Sequence, residues 1–484
     1  MERIITASDA KRKDAEAIAS GISSLSLMQT AAEGIVKTVL ERRAQNDTVT
    51  AICGAGNNGG DGIAAALLLY KEGIDARIVL NADEARCTPD AAYYLNQAKQ
   101  AGVRVTHTWE PVEHELLIDA LFGVGLSRPI EGETRTLIER MNASGKPTVS
   151  ADVPSGIHAD SGAVMGAAVK ACRTVTMQAK KAGLLLGQGR AYTGEVTVQP
   201  LYDDPTTPEL FLLDESDIAP LLPKRPFDSH KGRNGHALLC VGSKTYPGAA
   251  LLSSRAALRG GAGLLSVCTP DPVRPFFSAL PEAITVPTGT EDWNADAANV
   301  AIGAMRGKQA IGIGCGVGKG DIAPVIEAAL RTHTKLILDA DGLNQLAAHR
   351  TLFSLLHENV VLTPHAGEMA RLLDTTVDAV LSDPLKAASA FPCTVLLKGA
   401  TTLVHAHGKT AFLTFGNPGL SKGGSGDVLT GLITAMLAQG LSPFDAACVG
   451  AYLLGTSADR AMRLLNERAL LASDVIDMVQ YAYD

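Results

Sequence analysis

The chain has no C-x-x-C pair, no run of eighteen apolar residues, no long basic tract and no apolar core near its start. Each absence removes a class of reading. The eight cysteines, at 53, 87, 172, 240, 268, 315, 393 and 448, are widely scattered, which argues against zinc ligation and against a disulfide framework. They read as small buried residues in a reducing compartment. Without a long apolar run there is no candidate membrane span, and the charged opening MERIITASDAKRKDAEAIASG is no signal peptide. The expectation is a soluble, intracellular, cytoplasmic protein. Lys plus Arg number 43 against 51 Asp plus Glu, a formal net charge of −8, so nucleic acid and anionic membrane are disfavoured as partners. A small anionic ligand stays open, because glycine loops and helix starts bind phosphate without net positive charge.

What is present is length and alternation. The 484 residues, 46% hydrophobic, exceed what one core usually serves and predict two or three domains. From residue 48 onward, short β-branched runs (VTAIC, ARIVL, VRVTHT, ELLIDALF, PTVSADV, CRTVTM) alternate with helical segments (DGIAAALLLYKEG, PDAAYYLNQAKQAG, GETRTLIERMNASG). This predicts an α/β, Rossmann-like parallel-sheet domain, with ligands beyond the carboxyl ends of its strands. Pro205, Pro208, Pro220, Pro223 and Pro226 then crowd a stretch of about thirty residues. We place a linker at 208–228, between domains at 1–207 and 229–484. Strands HALLCVG, LLSVCT, AIGIG, KLILDA, NVVLTP and TVLLKG restart the alternation and predict a second α/β domain.

Three loops of the first half carry polar residues at strand ends. GAGNNGGDG, residues 54–62, contains G-x-G-x-x-G, the dinucleotide fingerprint. The second strand ends without an acidic residue for a ribose, Asp83 being the nearest substitute. The loop after ELLID supplies Asp119 and the run GVGLSRP; ADVPSG supplies Asp152 and Ser155. Asn58, Asp119 and Ser155 could together hold a hard cation through oxygen. Set against that, each could simply cap the following turn. Asp152 directly follows a buried strand, where desolvation can lift a carboxyl pKa, and is the candidate for acid–base work.

In the second half, NPGLSKGGSGDVLTG at 417–431 reads as a glycine-loosened loop turning into a helix, a place for phosphate at a helix start, with Asp427 set to take a proton from a nearby hydroxyl. The alternative makes Ser425 or Asp427 an ordinary N-cap, as most such residues in a lone G-x-G-D are. KGATTLV at 398–404 shifts the balance by adding a basic group and a turn suited to a nucleotide. His365 alone would usually be a solvated or capping side chain, and His405 and His407 are read as turn surface, not metal ligands.

AGNNGGDG, DALFGVGLSRP and ADVPSG resemble the epimerase module of the bifunctional NAD(P)H-hydrate repair enzymes. SHKGRNGHALLCVG, YPGAALLSSRAALRGGAGLLSV, LDADGLN, LTPHAGEM, LLKGATTLV and NPGLSKGGSGDVLTG resemble their ribokinase-like dehydratase module. The first resemblance implies that Asn57, Asn58, Gly59, Gly60 and Asp61, with Gly123, Val124, Gly125, Leu126, Ser127, Arg128 and Pro129, bind hydrated NADH or NADPH. It also implies that Asn58, Asp119 and Ser155 hold potassium and that Asp152 contacts the nicotinamide hydrate. The second implies that Lys398, Gly399, Ala400, Thr401 and Thr402, with Asn417, Gly423, Gly424, Ser425 and Gly426, hold ADP or ATP with magnesium. Ala250, Gly316, His365 and Asp427 would then face the hydrated ring. A homo-oligomer is expected. Two further readings stand beside this one: a ribokinase-like small-metabolite kinase fused to a dinucleotide-binding regulatory half, and a nucleotide sensor without turnover.

Overall fold

The computed structural model describes residues 1–483 and divides into two compact units, Arg3–Pro208 and Glu209 onward, the latter joined by the first two residues. In the N-terminal unit seven parallel strands form one sheet. Their order is Arg104–Thr106, Ala76–Leu80, Thr48–Cys53, Glu115–Ala120, Thr148–Ala151, Arg173–Met177 and Glu195–Gln199. Strand order reverses between Thr48–Cys53 and Glu115–Ala120. The chain leaves those two neighbours towards opposite faces, which opens a crevice at their carboxyl ends. The central strands are apolar on both faces, as a sheet covered by helices on each side requires. Ser24–Arg42 is one cover: Ser23 caps it by accepting from the Ser26 amide, and Met28, Ala31, Ala32, Ile35 and Val39 form its buried stripe at helical spacing.

The segment GAGNNGGDG is not the open loop its glycines suggest. The helix already begins at Asn57 and runs to Lys71. Its glycines serve close packing: a Cβ on Gly59 would stand 1.9 Å from the Gly54 carbonyl oxygen, so only a hydrogen fits between helix start and strand end. That approach aims the first helical turn, with Asn57, Asn58 and Asp61, at the crevice.

The C-terminal unit holds a larger sheet with the order Ile284–Pro287, Leu264–Thr269, His236–Cys240, Ala310–Ile313, Lys335–Leu338, Val360–Leu362, Thr394–Leu397, Thr402–Ala406, Lys409–Leu413, Leu210–Leu212. The first seven are parallel; Thr402–Ala406 turns antiparallel to both neighbours. Here the order reverses between His236–Cys240 and Ala310–Ile313. The helix Ser425–Ala438 is buried on every side from Val428 to Ala438 and packs against Pro247–Arg259 and the central strands, as an element apolar all round must. The proline-rich stretch has structure of its own: Leu210–Leu212 pairs parallel with Thr410–Phe412, and Asp214 forms a capping box on Glu215–Ile218. All eight cysteines are free thiols, six of them buried. Among the described residues no helix is long and apolar enough to cross a membrane.

Candidate active sites

The crevice of the N-terminal unit is a cavity of about 760 Å³. Of the residues singled out from sequence, Asn57, Asn58, Asp61, Gly123, Val124, Gly125, Leu126, Arg128 and Asp152 line it. Gly59 and Gly60 instead face the Gly54 backbone and the Met28 side chain. Ser127 and Pro129 are exposed and outside the wall. Asp83 takes no part: it caps the short helix Glu84–Arg86.

Asp119 and Ser155 are fully buried. One Asp119 oxygen accepts from the Ser155 amide (2.8 Å) and the Ser150 hydroxyl (2.8 Å), and the other from the Ser155 hydroxyl at 2.5 Å. Burial pushes the Asp119 carboxyl up, opposed by these bonds. The Ser155 hydroxyl also accepts from the Phe122 amide. Asn58 is different, because both polar atoms of its amide are buried without a hydrogen-bond partner. A buried amide left unpaired costs about 1–3 kcal/mol, so the site is built for a ligand there. An oxygen-seeking cation fits that oxygen-rich donor set. Asn58 Oδ1 and Asp152 Oδ2 also converge, each lying close to where a Cβ on Gly123 would stand (3.1 and 3.0 Å).

Asp152 has a partner that no sequence pattern announces. Lys181, only 2% exposed, gives its ammonium to Asp152 Oδ1 (2.5 Å), the Met177 carbonyl (2.7 Å) and the Thr176 hydroxyl (3.2 Å). Asp152 itself has φ 65°, a left-handed conformation uncommon outside glycine and characteristic of strained functional positions. Its signal was the lysine pair in AKKAG, which looks like solvated surface in the sequence.

In the C-terminal unit the helix start comes up to Asp339 and Lys398: a Cβ on Gly426 would stand 3.4 Å from Asp339 Oδ2 and 3.8 Å from Lys398 Nζ. Helix Ser425–Ala438 is entered through Gly424 at φ 100°, and no side chain caps it. Neither Ser425 nor Asp427 is the ordinary cap, so the first amides are open to a ligand. Asp427 is pushed up to about 6, chiefly by burial, then by the Asp339 charge; a bond with the Cys315 thiol and the Lys398 ammonium act the other way. A base of that pKa loses activity when protonated. An activity that uses Asp427 as its base should therefore fall below about pH 6, with an acid limb in kcat/KM; a pH–rate profile checks it.

Lys398 does not reach freely into solvent. Its ammonium binds Asp339 Oδ1 at 2.8 Å and lies 3.5 Å from Glu368 Oε2. Burial alone would lower its pKa, but these two carboxylates outweigh that and raise it. Asp339 also accepts from the Thr430 hydroxyl (2.9 Å), which fastens strand Lys335–Leu338 to the helix behind Asp427. His365 caps Ala366–Leu373, its Nδ1 accepting from the Gly367 and Glu368 amides, while the ring remains half exposed. Asn417 builds its own loop, accepting from Gly419 N–H and donating to Asp459. Ala250 is sealed against Gly242, and it is Tyr246 and Ala249 that crowd Gly316. His405 is on a strand bonded to Thr410, and His407 is in the following turn at φ 49°.

Residues 24–183 match the family described as YjeF-related protein N-terminus, and residues 237–480 match NAD(P)H-hydrate dehydratase. A bifunctional NAD(P)H-hydrate repair enzyme of Coxiella burnetii is 36% identical over 473 residues, covering 95% of both chains. The chain belongs to the bifunctional NAD(P)H-hydrate repair enzymes. The Escherichia coli member of this family is 33% identical over 495 residues, covering 98% of this chain and 92% of its own. A ribokinase-like superfamily protein from Enterococcus faecalis has 25% identity and a TM-score of 0.50, covering 58% of this chain and 98% of its own. The alternative of a small-metabolite kinase with a regulatory half is not favoured, since repair enzymes match nearly end to end.

Proposed function

We propose that the N-terminal unit interconverts the R and S epimers of hydrated NADH and NADPH, and that the C-terminal unit dehydrates the S form at the expense of ADP or ATP. We assign the first activity to residues 1–207 and the second to 229–484. The observation that carries this reading is Asp427: a carboxyl with a pKa of about 6 beside an uncapped helix start. Hydroxide is a poor leaving group. Transfer of a phosphoryl to the ring hydroxyl turns it into phosphate, and elimination assisted by the ring nitrogen then restores the dihydropyridine. Asp427 takes the hydroxyl proton, and the amides at Gly424, Ser425 and Gly426 hold charge on the moving phosphoryl. The turn Lys398 to Thr402 and Asn417 with Gly423 hold the nucleotide; Gly316 and His365 bound the ring. Magnesium belongs with the nucleotide phosphates.

In the N-terminal cavity the first helical turn and the 123–129 loop bind the damaged dinucleotide, and Asp152, oriented by Lys181, contacts the hydrated ring. Asn58, Asp119 and Ser155 would hold potassium, which supplies fixed positive charge beside the ring. We further propose a cytoplasmic protein that works as an assembly of identical chains.

The test mixes purified chain with each hydrated NADH epimer, magnesium, and ADP or ATP. Recovery of dihydronicotinamide absorbance from both epimers is expected. Recovery from neither, with phosphorylation of an unrelated hydroxylated metabolite, would support the kinase alternative instead.

A further inference from the structure

Asp14, Asp61 and Asp152 all line the N-terminal cavity, and they are not equivalent. Asp152 is bound by Lys181, whose hydrogen bonds to Asp152, Met177 and Thr176 use all three of its protons. Asp14 accepts from the Tyr202 hydroxyl at 2.9 Å. Asp61, on the first turns of Asn57–Lys71, has neither a hydrogen bond nor an ion pair among the described residues, although it is partly buried. Such a carboxyl does nothing to hold the fold together. Acids with different surroundings in one cavity are the arrangement by which sites keep one carboxyl as an acid and another charged.

We propose that Asp61 is the proton donor of the epimerisation, acting on the ring hydroxyl beside the Asp152–Lys181 pair. The inference rests on the reading of this cavity as the epimerase site. The Asp61 carboxylic acid gives its proton to the hydroxyl oxygen on the hydrated ring carbon. The C–O bond breaks with its electrons on oxygen, the ring nitrogen lone pair forms a C=N bond, and water leaves. Water then adds to the opposite face of that carbon, the C–O bond reforms, the C=N electrons return to nitrogen, and the proton released passes back to the Asp61 carboxylate. Nothing is oxidised or reduced, and no co-reactant beyond water is required. The Asp152 carboxylate faces the transient cation and opposes its charge.

Protonation of Asp61 follows from its setting. Burial and the charges of Asp152 and Asp14 push its carboxyl well up, and Lys181 offsets this only in part. Cys53 and Tyr94, on neighbouring elements, also feel its charge.

The experiment follows exchange between separated R and S NADH hydrates without nucleotide, over a range of pH, corrected for the uncatalysed rate. Wild-type exchange should fall as pH rises through the Asp61 pKa. Asp61→Asn should lower exchange by about two to four orders of magnitude and remove that alkaline limb, while Asp61→Glu restores part of both. S-hydrate dehydration with ATP should be unchanged in both variants, showing an intact chain. Exchange in Asp61→Asn within threefold of wild type, or a slow variant that keeps the alkaline limb, would overturn the assignment. Wild-type chain that leaves both epimers untouched would remove the epimerase reading itself, and the assignment with it.

Discussion

Replacing Asp427 by asparagine is expected to lower nucleotide-dependent dehydration of the S epimer by about two to four orders of magnitude, with epimer exchange unaffected. Asparagine matches the carboxylate in shape but cannot accept the hydroxyl proton, so the loss should fall on kcat with little change in nucleotide KM. Folding should not suffer. A carboxyl whose pKa is raised in the folded chain to about 6 binds protons more tightly there than when unfolded, so it weakens the fold above its ordinary pKa and ceases to do so below. Removing it should leave the melting temperature at neutral pH unchanged or higher. A variant that dehydrates within threefold of wild type would show that another group takes the proton.

Replacing Asp152 by alanine should have the opposite selectivity: epimer exchange falls by about two to four orders of magnitude, and dehydration of pure S hydrate persists. Here stability enters. Alanine leaves the Lys181 ammonium buried without its carboxylate, and breaking a buried pair from one side typically costs about 3–5 kcal/mol. The N-terminal unit should therefore melt earlier, and the exchange assay belongs well below that transition. Asp152→Asn keeps an oxygen for Lys181 and should lose activity with a smaller drop in melting temperature. If Asp152→Asn retained exchange, the pair would be structural and the catalytic assignment wrong.

Strand and helix alternation in both halves was legible because parallel strands buried on two faces are continuous β-branched runs. The arrival of Asn58 and Asp152 at the cavity wall was legible too, since residues at the carboxyl ends of such strands, or at the helix start behind them, face the crevice; Asp119, near another strand end, is instead fully buried. Four features were not legible. The glycines at 59 and 60 suggested a loop, yet they shorten the distance between helix and strand; sequence does not distinguish φ freedom from close approach. Lys181 is recruited from outside any motif, and only the fold puts it under Asp152. Asp61 stood inside a binding motif, but its lack of a partner is a tertiary fact. Likewise Lys398 suggested a nucleotide contact, while its pairing with Asp339 and Glu368 needed two strand ends and the start of helix Ala366–Leu373 brought together.

The claim that one polypeptide houses two independent centres is tested most directly by mixing two full-length chains, one carrying Asp152→Asn and the other Asp427→Asn, and supplying only R hydrate with ATP and magnesium. Each alone should regenerate NADH no faster than uncatalysed epimerisation allows. The account predicts that the mixture restores rapid NADH formation, because the hydrate epimerised on one chain is dehydrated on the other. A mixture no faster than the Asp152→Asn chain alone would contradict it.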